Sequence, residues 1–294
     1  MLAAMLVACQ TPPPVVPPAD VLLPAAAVAK PTPRPLRIGL ALGGGAARGF
    51  AHIGVIQVLE EAGIQPSLVV GTSAGSLVAA LYASGKTGAQ MATLALAMDE
   101  SAITDWSFPG RGVIRGEALA RYVREHTAGL LMEQMRLPLG IVATDLDSGA
   151  AMLFQRGDTG SAVRASSAVP ALFQPVRIGA REYVDGGLVS PVPVRFARQM
   201  GAEVVVAVDI SASPDGNSTG DALKMLLQTF AIMGRSINQF ELRDADVVVR
   251  PVLVGVSGAD FTARRRAIQA GRDAALRMLP ALKTRLARLE AGEH

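Results

Sequence analysis

Cysteine, histidine, aromatic side chains and charge are all scarce in this 294-residue chain, and each scarcity closes off a class of function. One cysteine, Cys9, permits no disulfide within the chain. With only three histidines, at 52, 126 and 294, no cluster has metal-ligand spacing, so neither a metal nor a cofactor is expected. Aromatic residues make up 4 % of the chain, too few for a stacking surface that would grip nucleic acid or carbohydrate. The net charge is only +3 and its basic residues are spread. The single cluster, Arg264-Arg265-Arg266, falls on a predicted helix and reads as a solvated face, attraction to anionic lipid being its other use. The apolar run at the N-terminus stops short of Pro12, so it is no membrane-spanning helix. No internal repeat is visible. What remains is apolar and small: half the residues are hydrophobic and 30 are glycine, enough for one large α/β domain or two small ones.

Three glycine-rich pieces stand where chemistry needs them. Gly71-Thr72-Ser73-Ala74-Gly75 is a G-x-S-x-G between the apolar run Leu68-Val69-Val70 and a helical pattern. A strand turning sharply into a helix projects such a serine above the sheet edge, with the helix N-terminus aimed at developing negative charge. Upstream, Gly43-Gly44-Gly45-Ala46-Ala47-Arg48-Gly49 follows the apolar run 36–42 and opens a helix with Ala51, Val55, Val58, Leu59 and Ala62 on one face. Glycines ahead of a helix expose backbone N–H groups to a phosphate or an oxyanion. Downstream, Tyr183-Val184-Asp185-Gly186-Gly187 is a short strand ending in an acid and two glycines, so that Asp185 can approach a serine closely and take its proton.

With these blocks the sequence resembles the patatin-like phospholipase family. GGGAARG at 43–49, GTSAG at 71–75, ASSAVP at 165–170 and DGG at 185–187 occur in the family's order, and the likeness covers roughly residues 36–210. The resemblance implies a three-layer α/β/α fold with a mainly parallel central sheet. It also implies a Ser–Asp dyad acting on lipid carboxylic esters: Ser73 as nucleophile, Asp185 as base, and Gly43, Gly44 and Gly45 as the oxyanion loop. Arg48, Gly49, Gly71, Gly75, Gly186 and Gly187 support these blocks. Many relatives carry a further glycine where this chain has Ala46, which leaves open which N–H groups form the oxyanion hole. Arg48 would either place an anionic head group or lock the loop through backbone carbonyls; the lock is the expectation. A catalytically silent lipid-binding protein on the same fold is the alternative, disfavoured because all three pieces are intact.

The histidines speak against a Ser-His-Asp triad of the α/β-hydrolase order, whose histidine would follow Asp185; only His294 does, at the last residue. His52 is expected to pack against the sheet, and His126 to lie on a surface helix. Nucleotide readings fail too. Strand 68–70 runs into Gly-Thr-Ser where a ribose-binding acid would be needed, and Ser84-Gly85-Lys86-Thr87 lacks the first P-loop glycine because position 80 is alanine.

Strands are expected at 36–42, 68–71, 139–144, 150–155, 176–184, 204–210 and 246–253. Helices are expected at 48–62, 74–84, 88–99, 116–127, 158–167, 193–200, 221–239 and 262–289, the last bent near Pro280. Leu139 to Phe154 reads as a hairpin in which Asp145 and Asp147 are turn formers. Ser166 and Ser167 read as helix-end polar groups, and Trp106-Ser107-Phe108-Pro109 as an interfacial loop or as packing. Leu6-Val7-Ala8-Cys9 resembles a bacterial lipobox, which implies acyl chains on Cys9 and a membrane surface as partner. Gln10 after the cysteine favours the outer membrane, facing the periplasm; a cytoplasmic protein is the alternative. The preceding run is short and lacks a basic n-region, which fits a start lying further upstream or a coincidental cysteine. Residues 10–35 hold nine prolines and read as an extended tether of up to ~80 Å between signal segment 1–9 and a domain over 36–294.

Overall fold

In the computed structural model the described residues are 35–99, 103–105, 111–213, 220–256, 258 and 260–292. The expectations for Cys9, for the tether up to residue 34, for Trp106 to Pro109 and for His294 fall outside them. Five parallel strands form the centre of the sheet: β1 (Ile38–Leu42), β2 (Leu68–Thr72), β4 (Leu139–Asp145), β9 (Val204–Val208) and β10 (Val247–Val249). They are continuous apolar runs because both faces are covered. Side chains alternate between two cores: Leu40, Val69, Ile141 and Val206 meet one helix layer, Ala41, Val70, Val142 and Val205 the other. The first layer holds α1 (Phe50–Glu61), α2 (Ala74–Ala83), α3 (Gly88–Ala97), α4 (Glu117–His126), α5 (Thr159–Ser166) and α8 (Arg264–Glu290); the second holds α6 (Val194–Gln199). This is the expected three-layer α/β/α arrangement.

Antiparallel strands finish one side. β5 (Ala151–Phe154) pairs with β4 as the expected hairpin, while β8 (Arg181–Asp185) pairs with β4 and with β7 (Val176–Ile178), in the order β10-β9-β1-β2-β4-β8-β7. The single strand expected at 176–184 is thus a hairpin, turned by Gly179 at φ +62°. A second sheet pairs β3 (Gly112–Ile114) with β6 (Ala171–Phe173), three-residue strands too short to show a period. The helix expected from residue 48 begins as a tight 3-10 turn over Ala46–Gly49. The last helix runs without interruption through Pro280. Proline removes only the bond to the carbonyl of Leu276, a residue 49 % exposed, where water can replace it. α7 (Ala222–Glu241) leads into β10.

Helices α1 and α8 touch backbone to backbone. A Cβ at Gly54 would lie 1.9 Å from the carbonyl oxygen of Ile268, and one at Gly271 1.9 Å from that of Ala51. α1 leaves the glycine loop directly, so this contact fixes the helix on which that loop is mounted.

Candidate active site

Strand register brings the three sequence blocks to one edge. Leu42 of β1 is level with Gly71 of β2 and with Val208 of β9, so the loops after them start side by side. Thr72 is level with Val142 of β4, and the next β4 residue, Ala143, faces Asp185 of β8. Ser73 and Asp185 therefore stand two interstrand steps of about 4.8 Å apart. The turn at Ser73 closes the remaining gap.

Ser73 sits at φ +52° and ψ −124°, a conformation costing about 1–3 kcal/mol that persists only where its surroundings enforce it. Here they do. The Ser73 N–H donates to Ser166 Oγ at 2.9 Å, and Ser166 Oγ–H donates to the Val142 carbonyl at 2.5 Å. The Ser73 carbonyl accepts from the Ser76 hydroxyl at 2.6 Å and its N–H at 2.8 Å. Thr72 Oγ1 donates to the Ser190 carbonyl at 2.9 Å. Two glycines let the turn pack: a Cβ at Gly71 would lie 2.4 Å from the Gly75 carbonyl oxygen, and one at Gly75 2.1 Å from that of Leu42. A Cβ at Gly49 would meet that of Ala74 at 2.8 Å.

The Ser73 hydroxyl donates to Asp185 Oδ2 at 2.7 Å. Asp185 Oδ1 accepts the Gly187 N–H at 2.7 Å, which fixes the carboxylate plane. Its backbone is held from both sides, the N–H by the Ala168 carbonyl and the carbonyl by Thr144 Oγ1. Gly186 allows this strand end to press on β4, since a Cβ there would come within 2.2 Å of the Val142 carbonyl oxygen. Burial pushes the Asp185 carboxyl up to about 6, against the opposing hydrogen bonds from Ser73 and Gly187. Ionised, it is a far better proton acceptor than an exposed aspartate.

The glycine loop needs a correction. Gly43 donates its N–H to the Val208 carbonyl at 3.1 Å and Gly44 to that of Pro191 at 2.9 Å, so neither is free to hold an oxyanion. Among the described residues nothing accepts the N–H groups of Gly45 and Ala46. Ala46 adopts φ +50°, the left-handed region in which glycine is the unstrained residue. The first turn of α2 adds N–H groups without intrahelical partners beside Ser73. The first two glycines therefore shape the loop, and the N–H groups left open are those of its later part and of the helix start.

Arg48 does not lock the loop as expected. Its Nε is buried without a partner, burial lowers its pKa, and the nearby charge of Asp209 opposes that shift. The lock is His52, which is fully buried and hydrogen-bonds the Gly43 carbonyl through Nε2 at 2.8 Å. Burial pulls the His52 pKa down to about 4, so the ring is neutral and Nε2 carries the donated proton. It does not approach Ser73 as a base would.

Ser166 is the helix-end group it reads as, the last residue of α5, and from there it braces the elbow. Ser167 only closes α5. Asp145 is the turn former it reads as, accepting N–H groups of Asp147 and Ser148, with Arg181 at 2.6 Å; these bonds hold its carboxyl near 2. In the basic cluster Arg265 and Arg266 are exposed, as a solvated helix face requires, while Arg264 lies over the Phe50 ring. Among the described residues no three metal-ligating side chains come together.

The model of the patatin-like phospholipase family matches residues 40–198, over half of the chain. The chain belongs to the patatin-like phospholipase family. An uncharacterized NTE family protein of Mycobacterium tuberculosis is 36 % identical over 183 residues, covering 61 % of this chain and 51 % of that protein. Patatin-like phospholipase domain-containing protein 6 of Homo sapiens is 33 % identical over 196 residues, covering 63 % of this chain and 14 % of that protein. This chain thus spans at most about half the length of these relatives. Among solved structures, VipD from Legionella pneumophila superposes with a TM-score of 0.57 at 17 % identity, over 84 % of this chain and 67 % of that one. ExoU from the type III secretion system of Pseudomonas aeruginosa, solved with SpcU, gives 0.50 at 18 % identity, over 86 % and 53 %. At such identities these two show a shared patatin-like fold.

Proposed function

We propose that this protein hydrolyses lipid carboxylic esters through a Ser73–Asp185 dyad and an acyl-enzyme, as a phospholipase A, lysophospholipase or esterase. The 2.7 Å hydrogen bond from the Ser73 hydroxyl to a buried, uncompensated Asp185 carries this reading. Ser73 Oγ attacks the ester carbonyl carbon as its proton passes to Asp185 Oδ2. The carbonyl oxygen, now an anion, lies toward the N–H groups of Gly45, Ala46 and the α2 start. When the tetrahedral adduct collapses, the carbon–oxygen bond to the alcohol breaks and Asp185 returns the proton to the departing oxygen. Water then gives up a proton to Asp185 as its oxygen attacks the acyl carbon; collapse breaks the bond to Ser73 Oγ, which takes the proton back from Asp185 as the carboxylic acid leaves. Membership of the family supports the substrate class. Purified protein assayed on esters graded in chain length, with and without head groups, tests the reading. An organophosphonate should label the protein once, at Ser73; labelling elsewhere with turnover intact would refute it.

Its pH dependence follows from Asp185. Only the ionised carboxylate accepts the serine proton, so kcat/KM should drop about tenfold per pH unit below about 6 and level off above it. A profile flat through pH 6 would exclude Asp185 as the base. Stability runs the other way. A folded pKa above the unfolded 3.8 adds stability below that value and loses it as pH rises through about 6. At neutral pH the ionised carboxylate costs the fold about 3 kcal/mol.

We further propose that Cys9 carries lipid and tethers the enzyme to the bacterial envelope, the outer membrane being favoured by Gln10. Cells making the Cys9→Ser form should release the protein from the membrane fraction, with a mass lower by the acyl groups. Unchanged fractionation together with an unmodified wild-type mass would refute the anchor and leave the catalytic reading standing.

A further inference from the structure

The short segment from Gly186 to Pro191 touches every part of the site. The Gly187 N–H holds the Asp185 carboxylate at 2.7 Å. The Gly186 carbonyl accepts the Ser190 N–H at 2.9 Å, closing the turn behind the base. The Ser190 carbonyl accepts Thr72 Oγ1, next to the nucleophile, at 2.9 Å. The Pro191 carbonyl accepts the Gly44 N–H at 2.9 Å, and a Cβ at Gly44 would lie 3.1 Å from that of Ser73. Base, nucleophile and glycine loop are thus tied to one another through residues 186–191.

This segment is held from outside by the last residue of α7. The Ser190 hydroxyl, fully buried, donates to Glu241 Oε1 at 2.6 Å. Arg195, whose Nη2 donates to the Val189 carbonyl at 3.0 Å, brings its Nε to 3.6 Å from the same oxygen. Helix α7 also packs on the segment directly, since a Cβ at Gly234 would lie 3.5 Å from the Pro191 ring. Burial raises the Glu241 pKa, Ser190 and Arg195 oppose that shift, and the charge of Asp244 adds to it. Glu241 Oε2 is buried and, among the described residues, has no hydrogen-bond partner. A half-satisfied buried carboxylate is a costly way to hold a fold together, and an apolar side chain of similar volume would do it better. What this carboxylate supplies is one short, directed bond to Ser190.

We propose that Glu241 is a positioning residue for the Ser73–Asp185 pair. By holding the Ser190 hydroxyl it fixes residues 186–191, and these keep the Ser73 hydroxyl against Asp185 and the glycine loop beside both. The proposal rests on the ester-hydrolase reading of the site and names what keeps its parts in register. The bond of Glu241 goes to Ser190 and not to Ser73 or Asp185, so its part is geometry and not proton transfer. A slack segment would lengthen the bond from Ser73 to Asp185, one of the two that hold the Asp185 pKa down.

The test is steady-state kinetics of the full chain on a short, soluble ester over a range of pH. Glu241→Ala should lower kcat about a hundredfold, the loss that a shift of about 1 Å in such a site brings, with KM within about twofold. The acid limb of its kcat/KM should also rise above the wild-type value of about 6, because Asp185 loses a bond that favours its ionised form. Removing a nearby negative charge would move that limb the other way, so the direction separates positioning from electrostatics. Glu241→Gln, whose amide oxygen can still accept the Ser190 hydroxyl, should recover most of the rate and keep the limb in place. Ser190→Ala removes the bond from its other end and should reproduce Glu241→Ala; it carries the test should Glu241→Ala fail to fold. Asp246→Ala is the structural control. The Asp246 side chain is buried at the far end of β9, where it accepts the Val205 N–H at 2.8 Å and pairs with Arg198 and Arg285. Its loss should lower the melting temperature with kcat and the acid limb unchanged. Wild-type kcat and an unmoved limb in folded Glu241→Ala or Ser190→Ala overturn the proposal. So does a Glu241→Gln as slow as Glu241→Ala, or an equally slow Asp246→Ala, which would make the effect one of general loosening. A wild type that turns over no ester refutes the catalytic reading, and the positioning role falls with it.

Discussion

Ser73→Ala should abolish ester hydrolysis, with a loss on the order of a million-fold, because catalytic groups that act as a unit lose nearly everything when one is removed. The fold should survive, since alanine keeps the Cβ of the elbow and the Ser166 and Ser76 bonds use only the backbone of residue 73. Asp185→Asn should be nearly as damaging. Its amide keeps an oxygen for the Gly187 N–H but cannot take a proton from Ser73. That variant should also unfold at a higher temperature than wild type at pH 8, because it removes the cost of a buried ionised carboxylate. His52→Gln is the contrast. Glutamine can still donate to the Gly43 carbonyl, so a substantial fraction of the rate should remain. Steady-state kinetics and thermal melts on the three variants decide the matter. A silent, folded His52→Gln beside an active Asp185→Asn would replace the dyad with a histidine mechanism.

The second large effect is expected from a residue that carries no chemistry. Gly75→Ala would place a Cβ 2.1 Å from the Leu42 carbonyl oxygen and 2.7 Å from that of Gly43, both backbone atoms that no rotamer can avoid. The elbow or the glycine loop must move, and a shift of about 1 Å in such a site costs on the order of a hundred-fold in rate. Overpacking adds a stability loss of about 1–3 kcal/mol. Gly63→Ala is the control: nothing lies within 4 Å and only its φ of +72° resists a side chain, so about 1–2 kcal/mol of stability should go with the rate intact. The readouts are kcat/KM and urea unfolding. A fully active Gly75→Ala would show that loop and elbow need not touch.

The parts of this molecule legible in the sequence are those fixed by local composition. Val204 to Val208 could only be a strand covered on both faces, and the glycines at 71 and 75 announced a tight turn around Ser73. The pairing of Ser73 with Asp185 was legible as two blocks of the right types; their alignment depends on register across β4, which no local pattern encodes. Which N–H groups of the glycine loop stay open was not legible, because those of Gly43 and Gly44 are taken by carbonyls of Val208 and Pro191, far away in the chain. The partners of Ser166 and of the buried His52 ring, Ser73 and Gly43, were not legible for the same reason. Gly179 hid a hairpin inside an apolar run because one glycine in a strand pattern is ambiguous between bulge and turn.

The backbone contacts of α1 with α8 at Gly54 and at Gly271, together with the pairing of β1 to β9, bear on how the protein is made. A ribosome adds about 5–20 residues per second, so roughly 160 residues and about 10–30 s separate the emergence of β1 from that of its neighbour β9. α8, on which α1 is seated, comes later still. During that interval the glycine loop and the nucleophile have been synthesised but the scaffold that orients them has not. On the proposed reading, an acyl hydrolase assembled in this order would be inert toward lipid until β9 and α8 have emerged.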